Sequence, residues 1–350
     1  MSRRTGVVAT IGVLVTAASA TAAPLWVYSL SLALFGLPHV LAELRYVDAR
    51  FGARVGRALA RWLWAGLAAI VALRLVALGG GGAPMLRTSL ELALGAALVA
   101  GVVAAVVPRL RARGALAQAP WTVAAGLAAT VVAITLALWS ARACPLEAIV
   151  WFAVLHNLTP VGFLAERLRG RARQRALLLC SVVFGLLPAL IASGAAAGAL
   201  AAALEATFGV PSGALGAQLS SHGPPGVGAL ERHLGVFVPG AWVDSPGALD
   251  LFRAAAFLQC MHYAVVLHVL PRLGAGAAIE RAPLCWPRWR STQELAFASC
   301  AGLTLGFALA FTDARTVYAV FAAVHAWIEL PILALACLGS TAEERVAAVT

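Results

Sequence analysis

The sequence predicts an all-α, polytopic integral membrane helix bundle of about ten transmembrane helices, with both termini cytoplasmic. Three observations predict it. Hydrophobic residues make up 61% of the 350-residue chain and charged residues only 12%, with a mean hydropathy of +0.88, a balance that two or three soluble domains would not show. Several uninterrupted apolar stretches reach the roughly 20 helical residues needed to cross about 30 Å of hydrocarbon, and the period-two alternation of a β-barrel is absent. The third observation is the placement of arginine, which is the sole source of the formal charge of +11 because lysine is absent.

Ten candidate spans follow in order, at residues 6–23, 25–45, 59–79, 88–107, 120–140, 146–167, 175–197, 251–271, 293–312 and 316–338. Starting inside with Arg3 and Arg4, alternate connections carry Arg45, Arg50, Arg54, Arg57 and Arg61, then Arg109, Arg111 and Arg113, then Arg167, Arg169, Arg171, Arg173 and Arg175, then Arg272, Arg281, Arg288 and Arg290. The opposite connections hold Arg87, Arg142, Arg232 and Arg315, one apiece. That asymmetry is the positive-inside pattern and places the chain in a bacterial inner (plasma) membrane. It makes the lipid bilayer the expected partner of the basic charge, with no nucleic acid. Seven tryptophans, among them Trp26, Trp62 and Trp64, fall near span ends as interfacial anchors.

The chain reads as a single transmembrane domain, 1–350, with a long connection at 198–250 that forms an external loop or cap. The first stretch, 6–23, ends in ASATAA and has an alternative reading as a cleavable signal peptide, which would leave nine spans. The six cysteines show no CxxC pair, so neither a disulfide framework nor a thiolate zinc site is expected.

Ionisable groups inside hydrocarbon cost at least a few kcal/mol each and mark interior contacts or functional paths. Five of the seven histidines fall inside spans: His39, His156, His262, His268 and His325. Their spans, the second, sixth, eighth and tenth, all run from outside to inside, and the arginines that follow place the histidines in the middle and cytoplasmic half. Ligands from facing helices at one depth are what a metal centre in a bundle core requires. Two of these histidines have an acidic companion four residues on, His39 with Glu43 and His325 with Glu329. That spacing puts both groups on one helical face. Imidazole with carboxylate favours iron, manganese or zinc.

His262 and His268 lie about 120° apart around their helix and cannot readily share an ion, which makes His268 the more expendable ligand. Each remaining polar residue has a plain structural reading. Glu43 could pair with Arg45, and Glu166 is expected in an interfacial ion pair beside Arg167. Asn157 and Gln259 could bridge helices. His222 and His233 are expected to be solvated loop residues. Prolines 38, 160, 271 and 331 lie close to the histidines, and Pro160 frees the backbone carbonyl of His156. Phosphate loops, HEXXH, the serine elbow and the histidine boxes of desaturases are all missing.

The stretch FGLPHVLAELRY, Phe35 to Tyr46, with isolated histidines in later spans, resembles the Brp/Blh group of membrane carotenoid dioxygenases. The likeness rests on Gly36, Pro38 and His39. It implies histidine-bound iron and cleavage of β-carotene to retinal, and carries over His39 as a ligand. Val40 and the wide spacing of His262 and His268 depart from the group's pattern.

The functional expectation is a membrane-embedded, metal-dependent oxidoreductase. It is expected to be a non-haem iron oxygenase (dioxygenase) acting on a hydrophobic, lipid-soluble small molecule of isoprenoid, carotenoid or acyl-lipid type. Its metal residues would be His39, Glu43, His156, His262, His268, His325 and Glu329. Zinc would instead activate water for lipid hydrolysis. The alternatives are a b-type haem electron-transfer protein, with histidines as axial ligands, and a proton or metal-ion transporter.

Overall fold

The computed structural model describes residues 3–112, 142–209, 222–274 and 290–349. Among the described residues the chain is helical, and the one pairing of extended backbone is an isolated bridge between His222 and Ala229. The helices are α1 (Arg3–Ala22), α2 (Pro24–Leu78), α3 (Pro84–Ala112), α4 (Pro145–Leu155), α5 (Thr159–Arg167), α6 (Gly170–Cys180), α7 (Leu187–Ala192), α8 (Ala195–Phe208), α9 (Glu231–Leu234), α10 (Ala248–Ala264), α11 (Leu270–Gly274), α12 (Arg290–Leu309) and α13 (Phe311–Val349).

Seven segments are long and apolar enough to cross a bilayer: Pro24–Gly52, Val55–Leu78, Pro84–Pro108, Pro145–Arg167, Gly170–Ala192, Ala248–Leu273 and Phe311–Ala336. Each overlaps one of the expected spans. Shorter apolar helices at Gly6–Ala22 and Ala298–Leu309 match two more, while the expected span 120–140 lies outside the described residues. The expected cap at 198–250 is in part a continuation of helix, because α8 runs to Phe208.

The second and third expected spans follow each other within α2 as two helical segments, Pro24–Gly52 and Val55–Leu78, joined at a kink with no loop between them. Gly56 interrupts α2 with φ 70° and ψ 163°, a combination open essentially to glycine alone. Tyr28 and Arg74 line one cavity although 46 residues separate them, which would be about 70 Å in a straight helix. The helix therefore doubles back on itself near Gly56.

Burial explains the packing order. α13 lies along α2, α3, α5 and α12, while α10 lies against α1, α2 and α7. The largest group of buried side chains includes Val47, Phe51, Leu63, Phe163, Phe257 and Ile332, and a second, nearer the cap, gathers Tyr28, Phe237, Phe252 and Phe311. Outward positions are apolar as well, with Leu178 70% and Leu309 78% exposed, as a lipid-facing surface requires. Hydroxyls on these helices satisfy themselves locally: those of Thr16, Ser29 and Ser89 donate to the carbonyl four residues earlier. Those three protons are thereby satisfied without water.

Candidate metal centre

Four helical segments converge on one point. α2 brings His39 and Glu43, the single 3-10 turn after α4 brings His156, α10 brings His262, and α13 brings His325 and Glu329. The side chains of His39, Glu43, His262, His325 and Glu329 are buried, at most 1% exposed. Ligating atoms of His39, His262 and His325 all lie within 4.8 Å of one another, and so do those of Glu43, His262, His325 and Glu329. The two sets overlap, so they describe one compact five-residue centre, and His156 stands at its edge, its ring centroid 5.4 Å from that of His262 and 5.6 Å from that of His325.

Local backbone chemistry orients the rings. His39 Nδ1 lies 3.1 Å from the Phe35 carbonyl oxygen and His156 Nδ1 lies 2.7 Å from that of Ala153. A carbonyl only accepts, so both Nδ1 atoms carry the proton and both Nε2 atoms keep a free lone pair. Backbone carbonyls hold metal-ligating imidazoles in this manner in known sites. His39 Nε2 points at His325 Nε2 across 3.1 Å. His39 also stacks on Tyr263 at 4.0 Å between centroids, and the Tyr318 ring presses against Gly36, where an added Cβ would come within 3.1 Å of it.

The carboxylates are the less settled half of the centre. His262 Nε2 and Glu43 Oε2 approach to 3.4 Å without hydrogen-bond geometry. Both oxygens of Glu43, both ring nitrogens of His262, His325 Nδ1 and one oxygen of Glu329 are buried with no hydrogen-bond partner. Leaving a buried polar atom unpaired costs about 1–3 kcal/mol, more for a charged one, so six in one pocket, the three carboxylate oxygens and one lone-pair nitrogen of His262 among them, are an unmet demand for a cation. The donor set of imidazoles and carboxylates fits a borderline divalent ion.

Pro160 acts as its position suggests. It has no N–H to give to the His156 carbonyl, which accepts instead from the Thr159 backbone N–H and from the Thr159 hydroxyl at 2.7 Å. The helix tightens there into a 3-10 turn, and the same hydroxyl lies 2.7 Å from Glu329 Oε2, so its single proton is given to one of the two oxygens at a time. Thr159 therefore joins the proline turn to the deepest carboxylate, a role that sequence reading missed because threonine carries no metal-ligand signal.

A cavity of about 380 Å³ opens beside the centre. His156, Asn157 and His325 line its inner end, Tyr28 and Arg315 its outer end, and Ala319, Ala322 and Ala326 its floor. Small side chains on α13 create the space.

Several expectations need correction. His268 is exposed, in the π-helical turn Val265–Val269, and takes no part in the centre, because its position on the helix faces away from the bundle. Glu43 pairs with no arginine and faces His262 instead. Glu166 does form an ion pair, as expected, with Arg50 at 2.6 Å, while Arg167 donates to the Leu273 carbonyl. His233 is 1% exposed rather than solvated, with Nε2 donating to the Val227 carbonyl and Nδ1 accepting from Arg315 at 2.9 Å. Burial pushes its pKa below the ordinary histidine value, and the nearby Arg315 cation adds to the effect, against the Val227 hydrogen bond. Asn157 bonds back to carbonyls of its own helix and spans no gap. Gln259 does bridge helices, donating to Ser31 Oγ at 2.8 Å. His222 is exposed, as expected.

No protein-family model, curated protein or solved structure matches the chain.

Proposed function

We propose that this chain is a membrane-embedded oxidoreductase whose core holds a divalent transition metal, iron in the first instance, beside a cavity for a lipid-soluble substrate. The observation that carries the reading is the convergence of three imidazoles and two carboxylates, with atoms of Glu43, His262, His325 and Glu329 buried and unpartnered, beside an apolar cavity that His156 and His325 line. His39, His262 and His325 would hold the ion with Glu43 or Glu329, and His156 would complete the shell or face the substrate. Iron with open positions between such ligands supplies oxygen chemistry, and zinc in the same place would activate water.

The remaining work falls to the protein. Phe35 and Ala153 carbonyls fix the tautomers of His39 and His156, and Thr159 fixes Glu329. Phe152 and the alanines of α13 exclude water from the reacting end. The haem alternative is disfavoured by geometry, since the rings of His39, His156, His262 and His325 crowd one point with neighbouring centroids 4.7–6.3 Å apart, leaving no flat slot for a macrocycle between two axial ligands. The resemblance to carotenoid dioxygenases is retained as a proposal for the reaction class. Ten crossings with both termini cytoplasmic, in a bacterial plasma membrane, remain the proposed topology, supported by the arginine asymmetry.

The test is elemental analysis of the purified protein with an absorption spectrum. A stoichiometric metal without a Soret band, lost in His39→Ala and His325→Ala, is the expected result. A protein that holds no transition metal after gentle extraction and metal resupply would overturn the reading, and an intense Soret band would replace it with the haem one.

A further inference from the structure

We infer that the cavity takes a long-chain amphiphile with an anionic head group, carboxylate or phosphate, whose head sits on Arg315 and whose chain runs down the alanine floor of α13 toward His325. This deepens the proposed function and rests on it only for the fate of the chain's far end.

The two ends of the cavity differ in kind. Arg74 lines it, but its guanidinium forks onto Glu91 at 2.6 and 2.8 Å, and Trp327 Nε1 donates to the same carboxylate. Arg50 and Arg253 likewise hold Glu166 and Asp250. Arg315 has no carboxylate within ion-pair distance among the described residues. Its contact is His233 Nδ1 at 2.9 Å, the accepting nitrogen of an imidazole kept neutral by burial and by the Arg315 cation itself, with the ring's proton on Nε2 given to Val227. A half-buried guanidinium with five donors is thus held in place by a neutral partner that leaves its charge unanswered. The Tyr28 hydroxyl stands beside it as a further donor.

The wall between the ends is apolar and shaped. Arg315, Ala319, Ala322 and Ala326 follow one another at spacings of four, three and four, so they form a single stripe on α13. Ten residues separate Arg315 from His325, about 15 Å along the axis. Leu32, Ile149 and Phe152 close the opposite sides. A volume of about 380 Å³ is of the size that holds small ligands, and its geometry is that of a trough with a cation at one end. An uncharged hydrocarbon would fill the trough and leave Arg315 without a counter-ion, whereas an anionic head satisfies both.

The probe is cis-parinaric acid, with its methyl ester as the uncharged twin. Fluorescence titration is run on detergent-solubilised protein stripped of metal by a chelator, so that the outcome is independent of whether the centre binds an ion. The acid should bind at least about tenfold tighter than the ester, and Arg315→Gln should remove that preference by weakening the acid alone. Arg315→Lys keeps the charge and should retain part of the preference if Arg315→Gln proves unstable. Ala322→Phe, which blocks the floor, should abolish binding of both. Dodecyl phosphate should displace the acid in competition if phosphate is read as well, and failure of that arm alone restricts the head group to carboxylate. Equal affinity for acid and ester in the wild type, or binding of neither, overturns the inference even where metal is found. Acid binding in a protein that never takes up metal would uphold it while ending the oxygenase reading.

Discussion

At the scale of single residues, two hydrogen-bonded groups carry most of the consequence. The Thr159 hydroxyl spans the His156 carbonyl and Glu329 Oε2 at 2.7 Å each. Thr159→Val removes that link and leaves a second oxygen of Glu329 unpaired in a buried site. Thermal unfolding in detergent should show a loss of about 1–3 kcal/mol without metal, with a smaller loss when metal satisfies the carboxylate. His233 predicts a pH effect. Its pKa is lowered by burial in the folded cap, so the neutral ring is the native form. Once the cap opens, the ring titrates near the ordinary value of about 6.5. The cap is thus fully stable above about pH 6.5 and loses stability as pH falls below it, because the open form binds the extra proton. Proteolysis within 222–247 should accelerate in acid in the wild type and lose that acceleration in His233→Gln. Sequence reading missed this residue because its neighbours, glycine and proline, look like solvated loop, and only the fold shows that Arg315 arrives from 82 positions away.

Elements explain why the ligands meet. The H-x-x-x-E spacing on α2 and α13 was legible, since four residues bring a helix back to the same face. So was the loss of a hydrogen bond at Pro160. What the sequence could not show was azimuth: which face of each span turns inward depends on packing between helices, and His268 shows the difference, lying six residues from His262 yet on the outer surface. Pro160→Ala restores a donor to the His156 carbonyl and should draw the 3-10 turn into regular helix. Metal affinity should fall about tenfold or more as His156 rotates, while thermal stability of the metal-free protein holds or rises. An isothermal titration together with a melting curve separates the two. The two spans of α2 were legible as separate segments, 25–45 and 59–79, and what the sequence did not show is that the turn between them is made at Gly56 rather than by a loop. Gly56→Ala places a Cβ where φ is 70° and should destabilise the protein by about 1–3 kcal/mol, measured by unfolding in detergent.

At the scale of the whole molecule, fold class was the most legible property, because bulk hydropathy and arginine asymmetry need no knowledge of contacts. The centre was legible in part: His39, Glu43, His156, His262, His325 and Glu329 are gathered together and His268 is not. Replacing His268 by alanine should therefore leave metal stoichiometry unchanged in the same elemental analysis that detects loss in His325→Ala. The cavity was legible least, since Arg315, Tyr28 and the cap residue Phe237, which line it, come from three distant parts of the chain and meet only after folding.

The bend at Gly56 makes α2 a lever. From that pivot to Arg74 is eighteen residues, about 27 Å, so a swing of about 10° would carry the far tip by about 5 Å. The position of one wall of the cavity is thereby set from the opposite end of the segment, by the backbone torsions of a residue that does not line it.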